Sequence, residues 1–548
     1  MSRKLYDFTK VLILSFMVIS IMPFSGYAQR DRLAAFLAKQ DKAIERLNKE
    51  IDNNPNNFKP YYNLGIIYAL KGKLDEAISQ YTKALNFNPS FSNAFYNRGL
   101  VYVEKEEYEK AVSDFTKALK LSPDDEESYI NRGNCYAELG DFKMAIKDLN
   151  KAESISPDKA DVYYNRGVVY ADSKMYNKAM ADLNKAIELS PKKSKAYYNR
   201  GIIYLDEGRI DEAISDFNRA LQIDPENYNI YCDRGVTYSI KGDYKQAIFD
   251  FDKAINISPG RPDAFYNRGN AYAMDRNADK AIADLSTAIY IDSKDPRSYY
   301  NRGLSYAMKG SFNEAIADYN KAIRLEPNND EFYVNRGNIY LIKGRLDRAL
   351  RDFNKAIKIN PKNQIAYYNR GTAYSESGKL KKAIVDYNKA LKLGPDKADI
   401  YYDRGNAYAM EGNISKATSD YAKAIKLDPG YDDAYFNRGN LYAINEDLKK
   451  AIEDFTKAIE INPNKAYAYY NRANAYSVLG KLDDAISDYT NALYINPEDP
   501  DSYYNRANAY KEMGRDKEAL LDYKKALGLN PDYAKVYKRD GIDCAPEK

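Results

Sequence analysis

A small residue recurs every 34 positions: Gly65, Gly99, Gly133, Gly167, Gly201, Gly235, Gly269, Gly303, Gly337, Gly371, Gly405 and Gly439, continued by Ala473 and Ala507. A fixed period of this length, carried through fourteen units without an insertion, points to a stack of like modules, each burying its apolar face against the next. Starting each unit seven residues before the small residue, the first spans 58–91 and the fourteenth 500–533. Within the first unit Tyr61, Gly65 and Tyr68 lie at i, i+4 and i+7, one face of a helix, and Ala77, Tyr81 and Ala84 repeat the spacing after a break near Gly72. Asn88-Pro89 then closes the second helix, because proline cannot continue it, and only Ser293 replaces that proline in the series. Each unit is therefore predicted as two antiparallel helices, and the fold class as all-α.

The tyrosine of the first helix (Tyr68 through Tyr510) and the two alanines of the second (Ala77 through Ala519, Ala84 through Ala526) stand in every unit. This order of aromatic, Gly, Tyr, Ala, aromatic, Ala and Pro resembles the tetratricopeptide-repeat family over residues 58–533. The resemblance implies an α-α superhelix, a right-handed solenoid of stacked helix pairs whose inner surface is lined mainly by the first helices. It also implies a binding scaffold rather than an enzyme. Residues 29–57 read as a degenerate N-terminal capping repeat: Ala43 and Pro55 lie 34 before Ala77 and Pro89, so 41–57 aligns with a second helix, while 30–39 makes a poor first one. Residues 534–548 read as a partial C-terminal capping helix and tail, charged at Lys535, Lys538, Arg539 and Asp540.

The first 28 residues have another character. Arg3, Lys4 and Lys10 precede an apolar run over 11–24, and Gly26-Tyr27-Ala28 offers small residues for a cleavage site. The reading is a signal peptide over 1–28, cut after Ala28, with a periplasmic or secreted product; an uncleaved anchor is the alternative. The run falls short of the ~20 apolar residues that a spanning helix needs, and no membrane span is expected after cleavage. Lys plus Arg number 83 against 79 Asp plus Glu, a balance that gives nucleic acid no basic tail to bind. With no histidine in the chain, imidazole chemistry is excluded. No phosphate loop, zinc-spaced cysteine pair or calcium loop occurs, so no enzymatic activity, cofactor or metal is expected. Cys135 and Cys232 are too far apart in a stacked array to bridge, and Cys135 reads as a buried hydrophobe.

Two constellations carry the functional reading. From the second unit onward an Arg precedes the small residue and an Asp precedes the large apolar residue of the second helix, from Arg98 with Asp114 to Arg506 with Asp522; the first unit has Leu64 and Gln80. Their joint absence there suggests a pair between the two helices of a unit, against two independent surface habits. The second constellation is a ladder. An aromatic-Asn pair precedes most of these Arg positions, and a second Asn follows one turn on, with both rows coinciding towards the C-terminus. The first row is similar to the asparagine ladder of the tetratricopeptide-repeat region of O-linked N-acetylglucosamine transferase. Asn offers a donor and an acceptor, so a row can hold a peptide by its backbone, and Tyr adds contact area with a polar tip. The expected peptide-binding residues are Tyr402, Asn406, Phe436, Asn437, Asn440, Tyr470, Asn471, Asn474, Tyr504, Asn505 and Asn508. The other reading of these Asn is structural, as caps or bridges between helices. A carboxylate clamp for chaperone tails would need Lys where Tyr62, Tyr96 and Tyr164 stand. The functional expectation is a scaffold for a protein or peptide ligand; the alternative is a structural component of a cell-envelope assembly or polysaccharide export machine.

Overall fold

A computed structural model describes residues 26–535, with side chains from Gln40 onward. The expectations for residues 1–25 and for the tail from residue 536 lie outside the described residues. The chain divides into two bodies, one through Ile291 and one from Asp292, and the division falls beside Ser293, where the closing proline is missing. Among the described residues the structure is helical, and no strand occurs.

Within each body the helices come in pairs. A first helix of 13 residues, such as Phe58–Leu70, is followed by a second of 14, such as Leu74–Phe87. Each helix packs against its pair-mate and against the next helix in the chain. The alternation of small and large residues makes this possible. Ala77 and Ala84 are fully buried on either side of the Tyr81 ring, and a Cβ on Gly65 would stand 2.6 Å from that ring, so a larger residue at position 65 would have to push the second helix away.

The turn inside each unit is made by one residue in the left-handed region. Gly72 holds it at φ 70°, and nine further glycines at the same slot do likewise. In the other four units the slot is filled by Glu106, Lys174, Arg276 and Glu446, at φ 58–61°. A side chain there is strained by about 1 kcal/mol or more, partly offset by the greater freedom glycine loses on folding. Glu446→Gly is therefore expected to stabilise the second body by roughly 0.5–1 kcal/mol. A fall in melting temperature on this substitution would show the turn to be held by the Glu446 side chain instead.

At the N-terminal end the structure departs from the expected helix pair. One uninterrupted helix runs over Gly26–Asn53. Ala38 stands where Gly72 breaks the following unit, so nothing in that stretch favours the left-handed turn that would separate two helices.

From the second unit onward the Arg and Asp of a unit do pair, between its two helices, in a two-pronged arrangement. Arg98 Nε donates to Asp114 Oδ2 at 2.7 Å and Nη2 to Oδ1 at 2.8 Å; Arg506 and Asp522 repeat this at 2.7 and 2.9 Å. The two-independent-habits reading is thereby set aside. The remaining guanidinium nitrogen does something the pattern had not announced. Nη1 of Arg98, Arg200, Arg370 and Arg472 donates to Thr82, Asn184, Asn354 and Thr456, polar residues on the second helix of the preceding unit, at 2.6–2.9 Å. One guanidinium thus ties three helices, and the register it fixes runs between units as well as within them.

Cys135 and Cys232 are both buried, and neither is in a disulfide. Burial pushes the Cys135 thiol pKa upward, which keeps it protonated and unreactive.

Candidate peptide groove on the first helices of the second body

The first helix of the twelfth unit, Asp432–Ile444, places Asn437, Asn440 and Ile444 at i, i+3 and i+7, hence on one face. The neighbouring helices Ala398–Met410, Ala466–Val478 and Pro500–Glu512 present the same slots. All eleven expected ligand residues are half-buried, neither sealed in the core nor free in solvent.

The structure joins the two Asn rows into one seam. Asn437 Nδ2 donates to Tyr402 Oη and to Asn406 Oδ1, both at 3.1 Å, bridging units eleven and twelve. Asn505 Nδ2 does the same to Tyr470 Oη at 2.9 Å and Asn474 Oδ1 at 3.2 Å. From below, hydroxyls of the second helices donate to the second-row carbonyls: Tyr421 to Asn406 at 2.8 Å, Tyr489 to Asn474 and Tyr523 to Asn508, both at 2.6 Å. The aromatic row packs inward, Tyr402 on Tyr421, Tyr470 on Tyr489 and Tyr504 on Tyr523, with ring centroids 5.9–6.0 Å apart. Much of the hydrogen-bonding capacity of these rows is therefore used to bridge neighbouring units. The same bond recurs in the first body, where Asn97 donates to Tyr62 Oη at 2.9 Å. In unit eleven, Asp403 replaces Asn and the direction reverses: Tyr368 Oη donates to Asp403 Oδ2 at 2.8 Å. Burial raises the Asp403 pKa, while the Tyr368 hydrogen bond pulls it the other way.

The twelfth unit is different, as is the ninth, where Val334 and Phe353 fill the two tyrosine slots and Asn369 Nδ2 donates to Asn338 Oδ1 at 2.6 Å. Phe436 stands where neighbouring units have Tyr402 and Tyr470, and Phe455 where they have Tyr421 and Tyr489. Two hydroxyls are missing from the seam. What remains is one bond, Asn471 Nδ2 to Asn440 Oδ1 at 2.7 Å, and no other hydrogen bond to either side chain occurs among the described residues. At this place a groove of about 520 Å³ opens, lined by Asn440, Asn471 and Asn474 together with Ile444, Leu448 and Val478. The groove thus collects three of the expected polar residues and adds an apolar wall that the polar pattern did not single out. The signal for that wall was in the sequence all the same: Ile444 and Val478 are themselves 34 apart.

Among the described residues no cluster of His, Cys, Asp or Glu is placed to hold a metal ion, and no helix is long and apolar enough to cross a membrane.

Comparison with known proteins bears on the repeat. Models described as "TPR repeat" match residues 67–105, 99–140, 133–174, 237–275, 277–310, 337–378, 371–412 and 405–445. Others described as "Tetratricopeptide repeat" match 160–193, 194–227, 296–329, 432–465, 466–499 and 500–533, and a third set matches 47–79, 217–249 and 318–351. The chain belongs to the tetratricopeptide-repeat family. No curated protein matches this tetratricopeptide-repeat chain as a relative. Similar solved structures include the Cut9–Hcn1 hetero-tetramer of APC/C, at 17% identity and a TM-score of 0.38 over 82% of this chain and 96% of that one. MamA is similar at 29% identity and a TM-score of 0.29, over 30% of this chain and 96% of its own.

Proposed function

We propose that this tetratricopeptide-repeat protein is a non-catalytic scaffold that binds a peptide or protein segment along the first helices of its second body, in a periplasmic or secreted setting. The observation that carries the reading is the Asn440–Asn471 pair. Both amides sit at an open groove with a single mutual hydrogen bond, leaving a carbonyl and amino hydrogens to meet a ligand's backbone. Elsewhere in the body the equivalent groups are bound to tyrosine hydroxyls at Asn406, Asn437 and Asn474, while Asn338 and Asn369 repeat the single mutual bond, at 2.6 Å. The exported setting rests on the basic, apolar and small-residue order of residues 1–28.

The test is affinity capture from the native compartment, comparing the full chain with its Asn440→Ala/Asn471→Ala variant. Loss of a specific partner by tenfold or more, at an unchanged melting temperature, is the expected result. An unchanged set of captured proteins in unchanged amounts would move the binding surface away from this groove. The pair is chosen because neither side chain satisfies a buried tyrosine, so its removal leaves the core bonds of Asn406, Asn474 and Asn508 in place.

A further inference from the structure

The second helices of units eight to eleven carry charge that nothing in the fold neutralises. Phe312–Leu325, Leu346–Ile359, Leu380–Leu393 and Ile414–Leu427 hold thirteen Lys or Arg between them and six Asp or Glu. Four of those acids, Asp318, Asp352, Asp386 and Asp420, are buried in the ion pairs with first-helix arginines. Only Glu314 and Asp347 are left, and among the described residues none of the thirteen bases forms an ion pair. Twelve of the thirteen are exposed, and Lys321 is half-buried.

The bases share a face. Lys321 and Arg324 of the eighth unit recur at the same two slots as Lys355 and Lys358, Lys389 and Lys392, and Lys423 and Lys426. On Leu380–Leu393 the row also takes in Lys381 and exposed Val385, opposite the buried Ala383, Tyr387 and Ala390. In the other units of the second body the doubled base is broken: Lys457 is neutralised by Glu460 at 2.6 Å, unit thirteen has Asn491 and Tyr494, and unit fourteen has Lys525 and Gly528. In the first body only Lys117 and Lys120 fill both slots with bases. Like charges on four successive helices repel one another, and Lys381 and Lys382 sit in a first turn without an acid, against the helix dipole. A counter-charge from outside the chain relieves both.

The make-up of the patch selects the partner. Ten of the thirteen bases are Lys, a residue depleted in protein–protein interfaces, where Arg and aromatic side chains are enriched. None of the four helices exposes an aromatic ring on which nucleic-acid bases could stack. The patch is also wide, running about 16 Å along the helix from Lys381 to Lys392 and recurring over four successive units. A linear polyanion would cover one track across it, whereas a plane of headgroups meets every helix.

We propose that the solvent face of the second helices in units eight to eleven docks the protein peripherally on an anionic lipid bilayer, with the Lys ammonium groups at the headgroup phosphates. The groove at Asn440 and Asn471 lies in units twelve and thirteen, outside this face, so the docking surface does not depend on the ligand reading above.

The test mixes the full chain with vesicles of phosphatidylcholine, pure or with about a quarter phosphatidylglycerol, and reads sedimentation together with lysine acetylation by mass spectrometry. Expected are partitioning at least tenfold stronger on the anionic vesicles and its loss between ~50 and ~500 mM salt. Acetylation of Lys358, Lys389 and Lys392 is expected to slow at least threefold on those vesicles, with exposed Lys83 and Lys525 unchanged. The variant Lys355→Gln/Lys358→Gln/Lys389→Gln/Lys392→Gln, at an unchanged melting temperature, is expected to partition at least tenfold more weakly, and the same four changed to Arg to keep full binding. Equal partitioning on the two kinds of vesicle overturns the proposal. Anchoring by the apolar run over 11–24 would hold the parent and the Gln variant equally and leave the patch lysines open to acetylation, which overturns it as well. So does release of the bound protein by an equal charge of duplex DNA or of poly-glutamate, which would assign the patch to a nucleic acid or to an acidic protein.

Discussion

Arg438→Leu is expected to destabilise the twelfth unit by about 3–5 kcal/mol, and Arg438→Leu combined with Asp454→Leu to recover most of that loss. The Arg438 guanidinium bonds Asp454 at 2.7 Å through both Nε and Nη2, with the Asp454 side chain 7% exposed and the Arg438 side chain 17%. The hydrogen bonds it donates to Asp454 raise the Arg438 pKa, so the cation persists at any working pH. Removing the Arg leaves a carboxylate buried among apolar neighbours with no partner, which is the costly state. Removing both charges leaves two apolar side chains of similar volume, a change that is often nearly neutral. Asp454→Leu alone is expected to cost less than Arg438→Leu, because the longer, more exposed Arg side chain can lift its head into water. Arg438 is well suited to the test because Ala422 occupies the slot that in other units supplies a third, inter-unit partner. The readout is equilibrium unfolding of all four species of the cycle; additive single effects would mean that the pair does not act as a unit.

The repeat, its helix pairs and the Arg–Asp contact were legible in the sequence because each rests on a fixed offset inside one unit. The third guanidinium bond was not, since its partner lies in the preceding unit. Thr82, Asn184, Asn354 and Thr456 read singly as ordinary polar residues of a helix surface. Only their common offset, sixteen residues before each Arg, marks them as a row. The Asn rows show a similar limit. Their residue types suggested a ligand contact or a bridge between helices with equal force, because an amide serves both uses. The structure shows a bridge at Asn437 and Asn505, while at Asn440 and Asn471 the two missing hydroxyls leave capacity over. That difference is written in Phe436 and Phe455, two substitutions that look conservative for packing and alter the hydrogen bonding. The unbroken helix over Gly26–Asn53 was missed because Ala43 and Pro55 match the repeat while the residue that would break it, at position 38, does not.

Phe353→Ala is expected to cost about 3–5 kcal/mol, and to cost it locally. Phe353 is fully buried and packs with Tyr340, Ala349 and Ala373, where a Cβ on Gly337 would lie 2.7 Å from its ring. Truncation leaves a ring-sized void between the two helices of the ninth unit, and the glycine opposite has no side chain with which to fill it. Phe353→Leu is expected to be much milder, at about 1 kcal/mol, because units three, four and seven already seat Leu149, Leu183 and Leu285 against Gly133, Gly167 and Gly269. Since each unit in a stack touches only its neighbours, the alanine variant should lose amide protection across residues 296–393 while residues 432–529 keep theirs. Hydrogen exchange read by mass spectrometry distinguishes this from a single cooperative body, in which protection would fall throughout. Uniform loss would mean that the second body unfolds as one, and the groove at Asn440 and Ile444 would then depend on every unit beneath it. Confined loss would mean that the groove keeps its shape when a distant unit fails, as a binding site carried by neighbouring units alone requires.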